Sequence, residues 1–141
     1  MFFTDENALG LGKLLCRSGR TDVLYPGHPE LPEVLLGMAD VDWMPLVAIR
    51  DLVVITRDRR IRTRPAELRV YAECGIRSVW IGAKRDLGPV DQLEVFVAHE
   101  QRLLREITKR GPGPWALAMT PTGVRPLKDP TPKQFDQRAV L

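Results

Sequence analysis

The stretch LVVITRD, residues 52–58, decides the fold of this chain, and RRIRTR, residues 59–64, follows it directly. The stretch begins with four branched or bulky apolar residues and a threonine, with no alternation between apolar and polar side chains. Such an unbroken apolar run is typical of a strand in a parallel sheet that is covered on both faces. We therefore predict a buried strand at residues 52–56, with Asp58 at its carboxyl end.

Strands and helices alternate along the rest of the chain. Further strands are predicted at residues 2–4, 22–25, 77–82 and 115–120. Helices are predicted from Ala8 through Leu15, from an N-cap at Asp42, between a cap at Thr63 and Gly75, and from Pro89 to Arg110. This order predicts a three-layer α/β/α sandwich around a central, mostly parallel sheet.

The length and composition indicate one globular domain and exclude several classes of protein. We assign residues 1–127 to the α/β domain and residues 128–141, which are polar and rich in proline, to a flexible tail. No apolar run approaches the roughly 20 residues of a membrane span, and the N-terminus lacks the features of a signal peptide. Cys16 and Cys74 match no metal or redox spacing, so we expect a cytoplasmic protein with two reduced thiols.

The charges are distributed unevenly along the chain. Residues 1–56 contain eight acidic and four basic residues, whereas residues 57–141 contain ten acidic and seventeen basic ones. An acidic first part and a basic remainder favour a site that gathers cations near carboxylates and attracts a polyanion through arginines. An uneven but merely solvated surface has the same composition, so both interpretations stay open.

Acidic residues follow two of the predicted strands. Asp58 ends the central strand and Asp5 ends the first one, so their carboxylates are expected about 5 Å apart if the two strands are neighbours in a parallel sheet. Asp42, Asp40 and Glu6 bring the number of candidate carboxylates to five. Because like charges repel at this range, Mg²⁺ or Mn²⁺ is the expected counter-charge. The arginines that would then hold the phosphates of a polyanion are Arg57, Arg59, Arg60 and Arg62.

Most of these residues also have a purely structural interpretation. Asp5 and Asp42 are residues that cap helices, Asp58 is placed to pair with Arg57 or Arg60, and arginine runs are often solvated loops. Glu100 lies on the apolar face of the last predicted helix, so we expect it to neutralise an arginine. Trp43 and Trp80 are interpreted as core residues.

Three segments together resemble a known family. TDEN at residues 4–7, DVDW followed by MPLVA at residues 40–48, and VITRD at residues 54–58 resemble the PIN-like domains, close to the VapC-type toxins of toxin–antitoxin pairs. The resemblance covers roughly residues 2 to 110 and implies a metal-dependent ribonuclease fold. It places the family's acids at Asp5, at Asp42 or Asp40, and at Asp58. It also implies a small cytoplasmic protein, often a homodimer, that a cognate antitoxin inhibits.

One departure from the family pattern separates the hypotheses. PIN nucleases commonly carry a further acid shortly after the strand-end aspartate, whereas Arg59, Arg60, Ile61 and Arg62 follow Asp58 here. The leading hypothesis is a Mg²⁺- or Mn²⁺-dependent endoribonuclease with Asp5, Asp42 and Asp58 as catalytic residues. The second is a PIN-like module that binds RNA or a protein partner and does not cleave. The third is a phosphate-receiver-type regulator, which would use a lysine such as Lys84.

Overall fold

The computed structural model describes residues 1–58 and 64–128. Its strands are β1 (Phe2–Thr4), β2 (Val23–Leu24), β3 (Val53–Thr56), β4 (Arg77–Ile81), β5 (Trp115–Thr120) and β6 (Gly123–Pro126). Its α-helices are α1 (Leu9–Arg17), α2 (Asp40–Ile49), α3 (Pro65–Cys74) and α4 (Pro89–Arg110), and a short 3-10 helix spans Glu6–Ala8. Two segments lie outside the described residues: residues 129–141 of the predicted tail, which begins at residue 128, and residues 59–63 of the arginine-rich segment.

The strands form one sheet in the order β2-β1-β3-β4-β5-β6. The first five are parallel to their neighbours, and β6 pairs antiparallel with β5. β1 and β3 are adjacent, with Thr4 opposite Ile55, and Thr56 of β3 lies opposite Trp80 of β4. The carboxyl ends of β1, β3 and β4 therefore meet at one edge of the sheet.

Both faces of the sheet are covered, which confirms the three-layer α/β/α prediction. Phe2, Val53 and Ile55 point into a core on the side of α1 and α4. Phe3 and Val54 point into a second core with Trp43 and Tyr71, on the side of α2 and α3. Successive strand residues alternate between the two faces, so a strand with a core on each side has no polar positions. This is why all four residues from Leu52 to Ile55 are apolar.

Helix α2 begins earlier than the sequence pattern predicts. Its N-cap is Ala39 and its first residue is Asp40, so Asp42 is the third helical residue and the predicted N-cap at Asp42 is wrong. Asp40 Oδ1 accepts a hydrogen bond from Trp43 Nε1 at 3.0 Å, one helical turn later. Asp40 and Asp42 both lie in the first turn, where carboxylates are favoured by the helix dipole.

Other element boundaries agree more closely with the predictions. Helix α3 has Pro65 at its first position, ends at Cys74 and has Gly75 as its C-cap, close to the predicted end. Its N-cap is Arg64, and Thr63 lies outside the described residues. Strand β6, after the predicted turn at residues 121–123, was not expected from the sequence.

Cys16 and Cys74 are both free thiols. Within the described residues, no helix combines the length and apolar character needed to cross a bilayer.

A three-residue ion cluster ties α4 to the region between α1 and β2. The Arg20 guanidinium contacts Asp22 at 2.8 Å and Glu100 at 2.5 Å, and it lies over the ring of Phe96 at 5.3 Å from the centroid. The two carboxylates raise the pKa of Arg20 further above its ordinary value. The expectation that Glu100 neutralises an arginine is therefore confirmed.

Candidate active site at the carboxyl edge of the sheet

Asp5 lies directly after β1 and is 1% exposed. Its N–H donates to Ile55 O at 3.2 Å, which continues the pairing of β1 with β3 by one residue. Its Oδ2 accepts a hydrogen bond from Thr56 Oγ1 at 2.6 Å, whereas its Oδ1 is buried and has no hydrogen-bond partner among the described residues. An unsatisfied buried carboxylate oxygen is costly, which makes Asp5 a candidate functional residue.

The pKa of Asp5 is raised from 3.8 to about 7, mainly because burial penalises the charged form. The hydrogen bond from Thr56 and the nearby Ala8 N–H oppose this increase, while the charges of Asp40 and Asp58 add to it. Thr56 bonds both the Asp5 carboxylate and the Asp58 N–H, and Arg64 contacts the carboxylates of both Asp58 and Asp40. The structure therefore brings together Asp5, Asp40 and Asp58.

Thr56 connects the two segments that flank this site. Besides donating to Asp5, its hydroxyl oxygen accepts the Asp58 N–H at 3.0 Å. Asn7 Oδ1 accepts the Arg57 N–H at 2.7 Å. These bonds fix TDEN against VITRD, and they explain why polar residues follow both apolar strands.

Arg64 lies among the other carboxylates of the site. Its Nη2 donates to Asp58 Oδ2 at 2.9 Å and lies 3.5 Å from Asp40 Oδ2, and its Nε lies 3.4 Å from Glu67 Oε1. Burial raises the pKa of Asp40, an effect that the Trp43 hydrogen bond and the Arg64 charge oppose. Asp58 therefore pairs with Arg64, an arginine beyond the two that the sequence suggested.

The remaining predicted residues lie at different distances from this group. Asp42 is exposed on α2, and its carboxylate forms no hydrogen bond or ion pair with Asp5, Asp40 or Asp58 in the described part of the chain. Glu6 is also exposed, and both of its carboxylate oxygens accept the Gly37 N–H, at 3.1 and 3.2 Å. Arg57 forms an ion pair with Asp86. Arg59, Arg60 and Arg62 lie outside the described residues.

Comparison with known proteins identifies the family. A family model described as a PIN-like domain matches residues 1–83, which is more than half of the chain and includes Asp5, Asp40, Asp42 and Asp58. The chain belongs to the PIN-like domain family. No curated protein and no solved structure matches it at the significance we required.

Membership in this family favours the nuclease-type interpretation of the fold over the phosphate-receiver hypothesis. The six-stranded, mostly parallel sheet with helices on both faces is consistent with a PIN-like domain. PIN-like domains are often nucleases, and divalent metals are the usual cofactors of the family. The acids of the PIN-like domain stand at the carboxyl edge of the sheet, which is where ligands bind in open α/β folds.

The PIN-like site has donor groups that suit Mg²⁺ or Mn²⁺, but they are not arranged as a closed metal site. Within residues 1–58 and 64–128, no group of three or more histidine, cysteine, aspartate or glutamate residues is placed to hold a metal ion. The unpartnered Oδ1 of Asp5 and the carboxylates of Asp40 and Asp58 are oxygen donors of the kind that these cations prefer. Arg64 provides the positive charge between the last two.

Sequence reasoning missed three residues of this PIN-like site. Thr56 was interpreted only as the end of a strand, Arg64 only as part of an arginine run, and Trp80 as core. Trp80 is half-buried, and its Nε1 donates to Arg57 O at 3.0 Å. The sequence feature that could have indicated this role for Trp80 is its position near the end of a strand, directly before Ile81-Gly82. Trp43 is buried, as expected.

Proposed function

We propose that this PIN-like domain is a Mg²⁺- or Mn²⁺-dependent endoribonuclease. The observation that carries the proposal is the buried, partly unsatisfied carboxyl of Asp5, whose pKa is raised in part by Asp40 and Asp58. Buried carboxyl groups with strongly shifted pKa values are common at functional sites. One such group, accompanied by the carboxylates of Asp40 and Asp58 at the ligand-binding edge of a nuclease-type fold, supports catalysis more strongly than a structural role.

Asp5, Asp40 and Asp58 are the residues that would hold the cation. A bound Mg²⁺ or Mn²⁺ supplies Lewis-acid chemistry and counter-charge for a phosphodiester. Thr56 orients Asp5 through its short hydrogen bond and holds the backbone of Asp58 through a second one. In this proposal Asp40 takes the mid-chain position of the family pattern. The prediction that Asp42 and Glu6 contribute remains to be tested by substitution.

The arginines that adjoin Asp58 in the sequence would position the substrate. Arg57, at the end of β3, is one of the phosphate-binding residues that we propose, together with Arg59, Arg60 and Arg62 of the following segment. Guanidinium groups bind phosphate through paired hydrogen bonds, which positions the backbone of a nucleic acid without reading its sequence. Arg64 has a different role, because its guanidinium already contacts two of the site's carboxylates.

A catalytically weak or inactive module that binds RNA or a protein partner is the second candidate. It is favoured by the ion pairs of Arg64 with Asp58 and Asp40, which neutralise the carboxylates without any metal. The basic residues that follow Asp58, in place of the family's further acid, point the same way. In this alternative the site would retain its arginines for binding and would lack cleavage.

Cleavage of a structured RNA with Mn²⁺, and with EDTA in its place, separates the two candidates. We expect Mn²⁺-dependent cleavage by the parent protein and none by Asp58→Asn, which is nearly isosteric. Circular dichroism should show that the variant is folded. Binding of RNA with no cleavage in Mn²⁺ or Mg²⁺ would select the binding module, and equal cleavage by the parent and Asp58→Asn would remove the proposed mechanism.

We also infer that the protein is the toxin of a toxin–antitoxin pair, acts in the cytoplasm, and has a homodimer and a cognate antitoxin as partners. This inference rests on the resemblance of TDEN, DVDW and VITRD to VapC-type toxins. Induced expression in a bacterial host should arrest growth, whereas expression of Asp58→Asn should not. Size-exclusion chromatography with light scattering measures the proposed dimer independently of activity.

A further inference from the structure

A cavity of about 380 Å³ lies at the opposite edge of the sheet, but a larger one, of about 660 Å³, lies at the same edge as the acidic site. The larger cavity is at the carboxyl ends of β4 and β5 and is lined by Trp80, Lys84, Thr120, Thr122 and Arg125, among others. Its volume is in the range of pockets that bind small molecules. A smaller cavity of about 270 Å³ shares Trp80 and Lys84 with it and extends to Arg57.

Trp80 links this cavity to the acidic site. It lies opposite Thr56 in the pairing of β3 with β4, and Thr56 is the residue that donates to Asp5. Its indole Nε1 donates to Arg57 O at 3.0 Å, which fixes the orientation of the ring. A ligand that occupies the cavity therefore lies one to two strands from Asp58 and two to three strands from Asp5, or about 5 to 15 Å across the sheet.

Gly82 allows the Trp80 indole to lie against the backbone. A Cβ added at Gly82 would stand 2.4 Å from Cζ2 and 2.7 Å from Cη2 of Trp80, closer than real carbon contacts permit. The glycine and the hydrogen bond to Arg57 O together hold the ring as one wall of the cavity.

The charges of the cavity favour an anion. Neither Lys84 nor Arg125 forms an ion pair with any residue in the described part of the chain, and both are exposed. Among the described residues that line the larger cavity, none is acidic. Thr120 and Thr122 add hydroxyl groups, which lie 3.0 Å from each other. The cavity thus combines an aromatic wall, two cations and hydroxyl groups.

We propose that this cavity binds one nucleotide of single-stranded RNA, with its base against Trp80 and its phosphate between Lys84 and Arg125. Single-stranded nucleic acids are held by this combination of aromatic stacking and cationic side chains, and RNA is usually recognised as a single strand. The inference rests on the proposed function, because it places the bound nucleotide next to the phosphodiester that the acidic site would cleave. Trp80 then contributes to the choice of cleavage position.

The test measures binding of a short single-stranded RNA of mixed sequence to the full chain in EDTA, so that cleavage does not contribute. We expect the RNA to quench tryptophan emission, since Trp80 is half-buried and Trp43 and Trp115 are each 3% exposed. Trp80→Phe should lose this quenching. Lys84→Ala/Arg125→Ala should weaken binding about tenfold or more, given the contribution of phosphate contacts.

The matched control removes the same charge from another surface. Lys13 and Arg17 are exposed on α1 and line neither cavity, so Lys13→Ala/Arg17→Ala should weaken binding no more than about twofold through net charge alone. An equal loss of affinity in both double variants, unchanged tryptophan emission, or no RNA binding by the parent would overturn the cavity proposal. Binding that depends on Lys84 and Arg125, without cleavage in Mn²⁺, would overturn only the proposed nuclease activity.

Discussion

Arg64 donates from Nη2 to Asp58 Oδ2 at 2.9 Å, and the same nitrogen lies 3.5 Å from Asp40 Oδ2. The guanidinium thus provides, within the chain, the positive charge that the sequence alone assigned to a metal ion. A divalent cation that binds Asp5, Asp40 and Asp58 must compete with this arginine. Metal binding at this site therefore depends on whether the divalent cation displaces the Arg64 guanidinium from Asp58 and Asp40.

Replacement of Arg64 by glutamine is predicted to strengthen Mn²⁺ binding. The variant removes the competing charge, so we expect Mn²⁺ affinity to increase by about two- to tenfold, in line with the modest energies of partly exposed ion pairs. Titration calorimetry measures the affinity without any assay of cleavage. Arg77→Gln is the control, because it breaks a 3.0 Å ion pair with Asp51 that lies outside the acidic site, and it should leave Mn²⁺ affinity unchanged. Weaker Mn²⁺ binding by Arg64→Gln would mean that the arginine supports the metal site.

The mid-chain acid is predicted to be Asp40, because the charge of Asp40, and not that of Asp42, is among the causes that raise the pKa of Asp5. Asp40→Asn should reduce Mn²⁺-dependent RNA cleavage by about 100-fold or more, as removal of groups that hold or orient a metal does. Asp42→Asn, in the same turn of α2, should cleave close to the parent rate because its carboxylate is exposed. Initial rates on one labelled RNA measure both. A larger loss for Asp42→Asn than for Asp40→Asn would restore Asp42 to the site.

Asp5→Asn is predicted to make the metal-free protein more stable at neutral and alkaline pH. In the unfolded chain Asp5 ionises near pH 3.8, whereas in the folded protein its pKa is about 7. Between these values the folded state binds the extra proton, so the free energy of unfolding falls as pH rises through this window. Above pH 7 Asp5 is ionised in the folded protein too, and the cost of burying its charge lowers the free energy of unfolding by up to about 4 kcal/mol.

Urea unfolding in EDTA at several pH values checks this prediction. The stability gained by Asp5→Asn over the parent should be largest at pH 8 and should shrink as the pH falls towards 4. Asp42→Asn serves as control for the change in net charge, because it removes one exposed carboxylate outside the acidic site. A difference between Asp5→Asn and the parent that stays constant from pH 4 to pH 8 would contradict the buried, proton-binding role of Asp5.

The Arg20–Glu100 ion pair is predicted to stabilise the docking of α4. Glu100→Gln removes one of the two carboxylates that contact Arg20 and should lower the free energy of unfolding by about 1 kcal/mol. Glu106→Gln on the same helix breaks a looser contact of 3.9 Å with Arg110 and should cost less than about 0.5 kcal/mol. Chemical denaturation of both variants gives the comparison. Equal losses of unfolding free energy in the two variants would show that the close contact between Glu100 and Arg20 adds no stability.

Most of the fold was predictable from the sequence, because burial on two faces leaves a strong pattern. The unbroken apolar run of β3 and the alternation of strands and helices indicated a parallel sheet between two layers of helices. The same order placed Asp5 and Asp58 at one edge, since neighbouring parallel strands end on the same side. These inferences depend only on local pattern and chain direction.

The start of α2 was not predictable in the same way. Asp42 and Asp40 are both good residues for the beginning of a helix, and local preference does not choose between them. The structure places Asp40 first, and the hydrogen bond from Trp43 Nε1 holds its carboxylate. A shift of two residues on a helix turns a side chain by about 200°, which is enough to exchange the acid that faces Asp5.

The sequence by itself determined the layers of this protein, the direction of its strands and the edge at which its acids collect. Only the tertiary structure decided that Arg64 neutralises Asp58 and Asp40 and that Trp80 borders a cavity. It also decided that Thr56 bonds Asp5 Oδ2, while Asp5 Oδ1 has no partner among the described residues. The physical reason is that layers follow from the solvation of each residue type along the chain. The contacts of polar side chains depend instead on distances between separate elements, which are set by the packing of the whole domain.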